Sequence, residues 1–451
     1  MAISVAHLHS TPIEDICKAA IWSSMHTFTS HYYLENHSSL GCALHKKGVN
    51  VILFDVRKPA HDVPEGVKFM AGDVRCLSDI EKALNNVSCV FHSASYGMSG
   101  KEQLNRRLIE DVNVNGAENV IQACQRQGVP SLVYTSTCNV VFGGQIIKNG
   151  DESLPYLPLH LHPDHYSRTK SLAEMKVLEA NGSTLEKGKG ALSTCALRPA
   201  GIYGPGEQKH LPRIVNYIES GLFKFVYGDP DSLVQFVHVD NLVSAHILAS
   251  EALKPDRRCI AAGQSYFISD GKPVNNFEFF RPLVESLGYR FPTIRLPISF
   301  VYFFAFLTEQ IHFLVGRIYN FQPLLTRTEV YKTGVTHYFS TEKAKRELGY
   351  EAQQFNLGEV IDWFKSQGHG RKLRDLLWRL NGWDLASLIA SAAGQLKDDP
   401  SPLGYLPGSF LTCPVSRKAM ETYDNGKQEK KEGAGTPATS QFCSISYYTK
   451  N

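Results

Sequence analysis

Through residues 50–200, short apolar runs rich in β-branched and aromatic residues alternate with stretches of helical period, and that alternation leaves few folds open. Residues 50–55, 67–72, 88–92, 131–136 and 193–197 read as strands, residues 77–86 and 102–127 as helices. Strands joined through helices run parallel, and right-handed crossovers carry the helices to both faces of the sheet. Such strands are buried on both sides and need no polar alternation, which is how these runs are written. The pattern predicts an α/β chain built on a doubly wound parallel sheet. With 451 residues there is chain enough for that sheet, a smaller lobe and a tail.

Composition narrows the partners rather than the fold. A hydrophobic share of 43 % with 20 % charged residues is ordinary for a globular chain, and a net charge of +3 gives no reason to expect nucleic acid. The ten cysteines stand singly, without Cys-x-x-Cys or Cys/His spacing, so neither a metal site nor a disulfide framework is expected and a reducing compartment fits. The first residues lack a basic segment followed by an apolar stretch, so a secretory signal is not expected either.

The chemistry gathers around Tyr166-Ser-Arg-Thr-Lys170. On a helix these two residues share a face, and a cation within roughly 4–6 Å lowers a phenol pKa of about 10, which would tune Tyr166 for proton transfer. Tyr-x-x-x-Lys arises by chance in many surface helices. Here it follows Ser131-Leu-Val-Tyr-Thr-Ser-Thr137, a strand ending in hydroxyls, and precedes Leu197-Arg-Pro-Ala-Gly-Ile-Tyr-Gly-Pro205, a second strand running into a turn.

In that order the blocks resemble the extended short-chain dehydrogenases/reductases. Phe91-His-Ser-Ala94, Thr194-Cys-Ala-Leu-Arg-Pro199 and Phe236-Val-His-Val-Asp-Asn241 with His246 bring the wording closest to the 3β-hydroxysteroid dehydrogenase branch, and more narrowly to its family 42E members. The resemblance spans about residues 40–369. It implies a Rossmann-like sheet with a smaller C-terminal substrate lobe, and reversible oxidation of a secondary alcohol by a nicotinamide cofactor. Tyr166 would take the hydroxyl proton, Lys170 would hold the tyrosine anionic and bind the nicotinamide ribose, and Thr137, or else Ser136, would hydrogen-bond the substrate oxygen. Asp55, closing the second strand, would bind the ribose hydroxyls and favour NAD over NADP, although Arg57 and Lys58 follow it. Asp73 would contact the adenine, Ala94 would let the backbone pass close to the cofactor, and Arg198 and Pro199 would stand beside it. Asn113 could order a water in a proton relay or, like Gly116, serve packing alone. The implied substrate is small and apolar, a sterol or steroid with a 3β-hydroxy-Δ5 pattern. A nucleotide-sugar epimerase or dehydratase would use the same Tyr and Lys.

The departure lies before all of this. A dinucleotide fold needs a first strand and a glycine-rich turn whose bare N–H groups hold the pyrophosphate. Counting back from Leu40-Gly-Cys-Ala-Leu-His-Lys-Lys-Gly48, that turn falls at His31-Tyr-Tyr-Leu-Glu-Asn-His37, and no glycine occurs before position 41. Losing two charge-assisted hydrogen bonds at about 1.5–3 kcal/mol each would cost about two to four powers of ten in cofactor affinity. Residues 25–30 are the nearby stretch extended enough to substitute for the first strand, whereas residues 13–21 read as an amphipathic helix. Residues 1–39 thus look like an alternative beginning joined to an intact enzyme; a member that has lost cofactor binding is the other explanation.

The sequence divides into an atypical segment 1–39, a dinucleotide-binding part 40–200, a substrate lobe 201–369 and a tail 370–451, disordered in expectation after 397. Residues 296–315 are apolar and aromatic but interrupted by Glu309, Gln310 and His312, so they read as a core helix, a lid or a membrane-interface segment rather than a span. His238 and Asp240 are expected as anchors between the two parts. A homodimer, and a cytoplasmic chain associated with the endoplasmic reticulum membrane, are compatible with this reading.

Overall fold

The computed structural model describes residues 18–22 and 40–371, except 57–64, 99–101, 104, 187–189, 208–209 and 316–324; for residues 18–22 and 313–315 it describes the backbone alone. These residues fall in one compact unit, residues 1–379; the second unit, 380–451, lies outside the described residues, as do Arg57, Lys58, Trp378, Trp383 and the expected disordered tail. The first half of the unit runs β1 (Lys18–Trp22), α1 (Leu40–Lys46), β2 (Asn50–Asp55), β3 (Val67–Ala71), α2 (Leu77–Ala83) and β4 (Cys89–His92). Next come α3 (Arg106–Glu110), a π-helical turn (Asp111–Asn115), α4 (Gly116–Gln127), β5 (Ser131–Thr135), β6 (Ile147–Gly150), α5 (His165–Glu179) and β7 (Ser193–Pro199). The remainder is β8 (Gly201–Tyr203), α6 (Leu211–Glu219), β9 (Phe225–Tyr227), β10 (Phe236–His238), α7 (Val239–Ala252), β11 (Gln264–Ile268), α8 (Asn276–Ser286), β12 (Ile294–Leu296), α9 (Ile298–Val315), α10 (Arg327–Gly334), β13 (His337–Phe339), α11 (Glu342–Leu348) and α12 (Gly358–Ser366).

Seven strands make one parallel sheet in the order β3-β2-β1-β4-β5-β7-β11. Successive side chains alternate between two apolar layers. Val51, Leu53, Phe91, Val133 and Cys195 pack with residues of α1, α7 and α11, while Phe54, Val90, Leu132, Tyr134 and Ala196 pack with α2, α4 and α5. The winding reverses between β1 and β4, which opens a crevice beyond the carboxyl ends of these strands. The α/β doubly wound parallel sheet is therefore the fold observed.

Two local expectations differ from the structure. The first strand is β1 at Lys18–Trp22, within and just beyond the stretch expected as a helix; residues 25–30 lie outside the described residues. Its register sets Ala20 beside both Ile52 and Val90. A central strand pairs its N–H and C=O groups on both sides, and that pairing outweighs a helical period in so short an apolar run. The helix expected over 102–127 is likewise α3 and α4 with a π-helical turn between them. That turn presents Asn113, whose carboxamide accepts from the Tyr96 N–H at 2.8 Å and donates to the Tyr96 carbonyl at 3.0 Å and to Thr169 Oγ1 at 2.9 Å. Asn113 thus staples the loop after β4 to helix α5. Gly116 serves packing: a Cβ there would stand 3.1 Å from Val74.

The lobe over the crevice is made of three two-stranded parallel ribbons, β8 with β10, β9 with β12 and β6 with β13, and the helices around them. His238 and Asn241 hold it to the loop after β11: the His238 N–H and the Asn241 amide both donate to Asp270 Oδ1, at 2.9 and 2.7 Å, and the His238 ring stacks on Phe355 at 3.8 Å. Asp240 contributes its N–H to His238 Nδ1 at 3.3 Å.

Candidate active site

Helix α5 starts where Asp164 caps it. Its carboxylate accepts from the Ser167 N–H at 2.6 Å and the Ser167 hydroxyl at 2.9 Å, and from Lys332 Nζ at 3.1 Å. The cap fixes the rotation of the helix, so that Tyr166, Lys170, Ala173, Glu174 and Val177 form its buried stripe. Tyr166 and Lys170 are therefore brought to one wall, as their spacing requires. The Tyr166 hydroxyl pairs with Ser95, in the loop after β4. Lys170 is 1 % exposed; its ammonium donates to the Thr135 carbonyl at 2.5 Å and lies 4.2 Å over the Tyr134 ring.

The expected lowering of the phenol is not found in the chain alone. Burial pushes the Tyr166 hydroxyl well above its ordinary value, outweighing the bond to Ser95. Lys170 has turned its charge to Thr135, and burial draws its own value down to about 7 against the pull of Glu174. Thr135 is held from the other side as well: its hydroxyl meets His246 Nε2 at 2.7 Å, while His246 Nδ1 faces the Leu242 carbonyl at 2.8 Å. His246 is thus neutral, with burial taking it down to about 4.

The hydroxyls after β5 separate by environment. Ser136 donates to the buried Glu174 carboxylate. Thr137 Oγ1 accepts from the Asn139 N–H at 3.3 Å and the Asn139 amide at 3.1 Å. Its proton, shared with the Cys138 thiol, is the one a bound oxygen could take. Both residues border the cavity, but Ser136 is committed to Glu174, which favours Thr137.

That cavity, about 330 Å³, opens from the strand ends into the lobe. Ser95, Thr137, Tyr166, Lys170 and Pro199 line one end; Leu211, Ile214, Phe223, Phe225, Phe277 and Phe280 line the other. Arg213, Glu329, Lys332 and Glu207 also reach it, and Glu207 accepts from the His210 and Leu211 N–H groups at 2.9 and 2.7 Å. Arg213 meets Glu329 at 2.6 Å, and Lys332 meets Asp164 at 3.1 Å.

A model of the 3-beta hydroxysteroid dehydrogenase/isomerase family matches residues 46–298. The chain belongs to that family. Its similarity to the short-chain dehydrogenase/reductase family 42E member 1 of Bos taurus is 74 % identity over 335 residues, covering 74 % of this chain and 85 % of that protein. For the Homo sapiens protein of the same name the identity is 73 %, with the same coverage. The sterol-4-alpha-carboxylate 3-dehydrogenase, decarboxylating, of Mus musculus is 36 % identical over 68 % of this chain and 80 % of its own length. Among solved structures, the dTDP-glucose 4,6-dehydratase DesIV from Streptomyces venezuelae superposes with a TM-score of 0.57 at 19 % identity, over 77 % of this chain and 97 % of that one, and so shares the fold.

The other positions singled out for this hydroxysteroid dehydrogenase/isomerase family member are spread along the strand ends. Asp55 is 4 % exposed at the end of β2, and Ala94 is buried behind β4. Asp73 is bound to Arg75 through Nε at 2.9 Å; burial pushes its carboxyl up, but Arg75 outweighs that and holds it below the usual range. Arg198, expected beside the cofactor, turns away from the cavity: its Nε and Nη2 donate to Glu174 at 2.9 and 2.6 Å, because a buried guanidinium needs a counter-charge. The residues 31–37, where the glycine-rich turn would fall, lie outside the described residues. Ser95, Glu174, His246 and Lys332 were not given site roles from sequence. Two of them carried a signal: Glu174 stands four residues after Lys170 on the same helix face, and His246 follows the Phe236-Val-His-Val-Asp-Asn241 block.

Proposed function

We propose that this chain oxidises, reversibly, a secondary alcohol on a bulky apolar substrate, with NAD as the hydride acceptor and a 3β-hydroxy-Δ5-steroid as the reference substrate. The observation that carries this is the meeting of Tyr166, Lys170 and Thr137 in one cavity whose far walls are aromatic and aliphatic. An ammonium has three donors and the Thr135 carbonyl takes one, which fits the hydroxyls of a nicotinamide ribose. Asp55 and Asp73, at the ends of neighbouring strands, fit the adenosine side. NAD, when bound, supplies the acceptor for the hydride leaving the carbinol carbon.

The chain's own groups do the rest. Thr137 donates to the substrate oxygen and fixes its distance from Tyr166. The Tyr166 oxygen takes the hydroxyl proton, with Ser95 holding the phenol in place. Ribose hydroxyls would draw the Lys170 ammonium forward from Thr135, and a charge closer to the phenol favours its anion. Aromatic walls exclude water from the carbinol.

A nucleotide-sugar reading is weighed down by the charges: Arg213 and Lys332 each have a carboxylate already, so a diphosphate would find them neutralised. The α9 face suggests where an apolar substrate arrives. Phe300, Phe303, Phe304 and Ile311 are about half exposed, Val301 and Ala305 pack into the cluster that also holds Phe223, Phe225 and Phe277 of the cavity wall, and Leu222 is both exposed and part of the lining. No helix among the described residues is long and apolar enough to cross a membrane. We place α9 in a bilayer interface, such as the cytoplasmic face of the endoplasmic reticulum, with the cavity mouth beside it.

Titration of NAD against the full chain, followed by tyrosine and tryptophan fluorescence, and nicotinamide absorbance during turnover of a panel of 3β-hydroxysteroids, test the proposal. Saturable binding is expected in wild type and in Tyr166→Phe, with turnover falling at least ~100-fold in the variant. No saturable binding up to millimolar NAD would leave a binding protein that has lost its cofactor.

A further inference from the structure

Behind the site lies a second buried cluster that proton transfer by Tyr166 does not itself require. Glu174 is fully buried on α5, one turn beyond Lys170 on the same stripe. Its Oε1 accepts from Arg198 Nε and Nη2 and from the Tyr156 hydroxyl at 2.7 Å, and its Oε2 accepts from the Ser136 hydroxyl. Ser136 stands between Thr135, whose carbonyl receives Lys170, and Thr137, whose hydroxyl faces the cavity. Its own N–H donates to the Leu197 carbonyl at 2.7 Å. One carboxylate thus touches the end of β5, the end of β7 and the catalytic helix.

We propose that Glu174 is a positioning residue for the alcohol oxidation: it fixes the Thr135–Thr137 strand end against α5 and supplies the buried negative charge that favours the ammonium form of Lys170. The first half follows from connectivity. Without the Glu174 bond the buried Ser136 hydroxyl loses its acceptor, and the neighbouring Thr137 hydroxyl and Thr135 carbonyl lose their common anchor. The second half follows from what surrounds Lys170. From β4 it faces His92, from β5 the Tyr134 ring and the Thr135 carbonyl, and from its own helix Glu174. His92 is uncharged, since burial takes it down to about 3, and the Tyr134 and Tyr166 phenols are held protonated by burial. Among the described residues Glu174 is therefore the anion that opposes the loss of the Lys170 proton, against the downward pull of burial.

The proposal rests on the dehydrogenase reading for its turnover arm only. In the other arm the full chain is labelled with an amine-selective reagent across a pH series, and the labelling rate of Lys170 is read by peptide mass spectrometry; no substrate is needed. Glu174→Gln is expected to move the Lys170 midpoint down by about one unit or more. Because Glu174→Gln leaves a buried guanidinium without its partner, Glu174→Gln with Arg198→Met provides a variant free of that penalty, and a downward shift smaller than that of Glu174→Gln is expected in it, since a cation leaves with the anion. Ser136→Ala keeps the carboxylate but cuts the tether. It should leave the Lys170 midpoint in place and lower kcat about tenfold or more with little change in KM, since a misplaced Thr137 is felt in the transition state. An unmoved Lys170 midpoint in the charge variants, or unaltered kcat in Ser136→Ala, overturns the assignment. A chain that turns over no alcohol would instead count against the dehydrogenase reading, with the labelling result still standing.

Discussion

Removing the charge from Asp164 tests how the catalytic helix is aimed. Asp164 caps α5 and meets Lys332 of α10 at 3.1 Å, with side-chain exposures of 8 % and 21 %. At that separation, with an effective dielectric of about 20, the attraction is about 5 kcal/mol before desolvation. Partial burial of both groups offsets more than half of it, which leaves a net coupling of about 2 kcal/mol, between exposed and fully buried pairs. Asp164→Asn keeps a capping oxygen for the Ser167 N–H and loses the ion pair; Lys332→Met loses the same pair from the other side. Each single variant is expected to lose about 2 kcal/mol, Asp164→Ala about 3 kcal/mol because the cap goes too, and the Asn/Met double variant far less than the sum of its singles. Urea denaturation of wild type and the four variants, followed by intrinsic fluorescence, measures this. The acid limb supplies a second check. Burial pushes the Asp164 carboxyl up, but Lys332 and Ser167 outweigh it and hold it below its ordinary 3.8. A depressed carboxylate stabilises above the unfolded value and loses that contribution as pH falls through the folded one. Wild type and Asp164→Asn should therefore begin to converge as pH falls below about 4 and meet only once it has passed the lower, folded value of Asp164. Single variants whose losses add within about 0.5 kcal/mol would refute the pair as a determinant of helix placement.

Lys170 carries a stability cost with a definite pH signature. Its folded value of about 7 lies below the ordinary 10.5, so between them the unfolded chain binds a proton that the folded chain has released, and stability rises with pH through that window. Lys170→Met should be more stable than wild type at pH 7 by on the order of 3 kcal/mol, a gap that closes by about pH 10; thermal unfolding at several pH values decides it, and a gap independent of pH would refute the burial argument. On the surface, Phe303→Ser with Phe304→Ser should weaken flotation with phospholipid vesicles at least tenfold while leaving the folded chain intact by circular dichroism, and unchanged flotation would remove α9 as the contact.

The dinucleotide-binding sheet and the pairing of Tyr166 with Lys170 were legible in the residues because both are local periodicities: apolar runs of strand length, and two functional groups one helical turn apart. The sequence also set apart the hydroxyl-bearing end of β5. What it could not give was the state of those groups. Helix α5 buries Ser167, Lys170, Ser171 and Glu174 together with its apolar positions, so the stripe facing the sheet is not apolar and a hydrophobic pattern does not find it. Which of Ser136 and Thr137 is free depends on a carboxylate 38 residues from Ser136, and the direction in which Lys170 points depends on Thr135 and, through it, His246, 111 residues away from that threonine. The first strand was misplaced for the same reason: five residues with helical local preference become β1 because β2 and β4 offer hydrogen-bond partners on both sides. Local propensity is a matter of tenths of a kilocalorie per residue, whereas an unpaired buried N–H or C=O costs about 1–3 kcal/mol, so wherever the two disagree the surrounding structure decides.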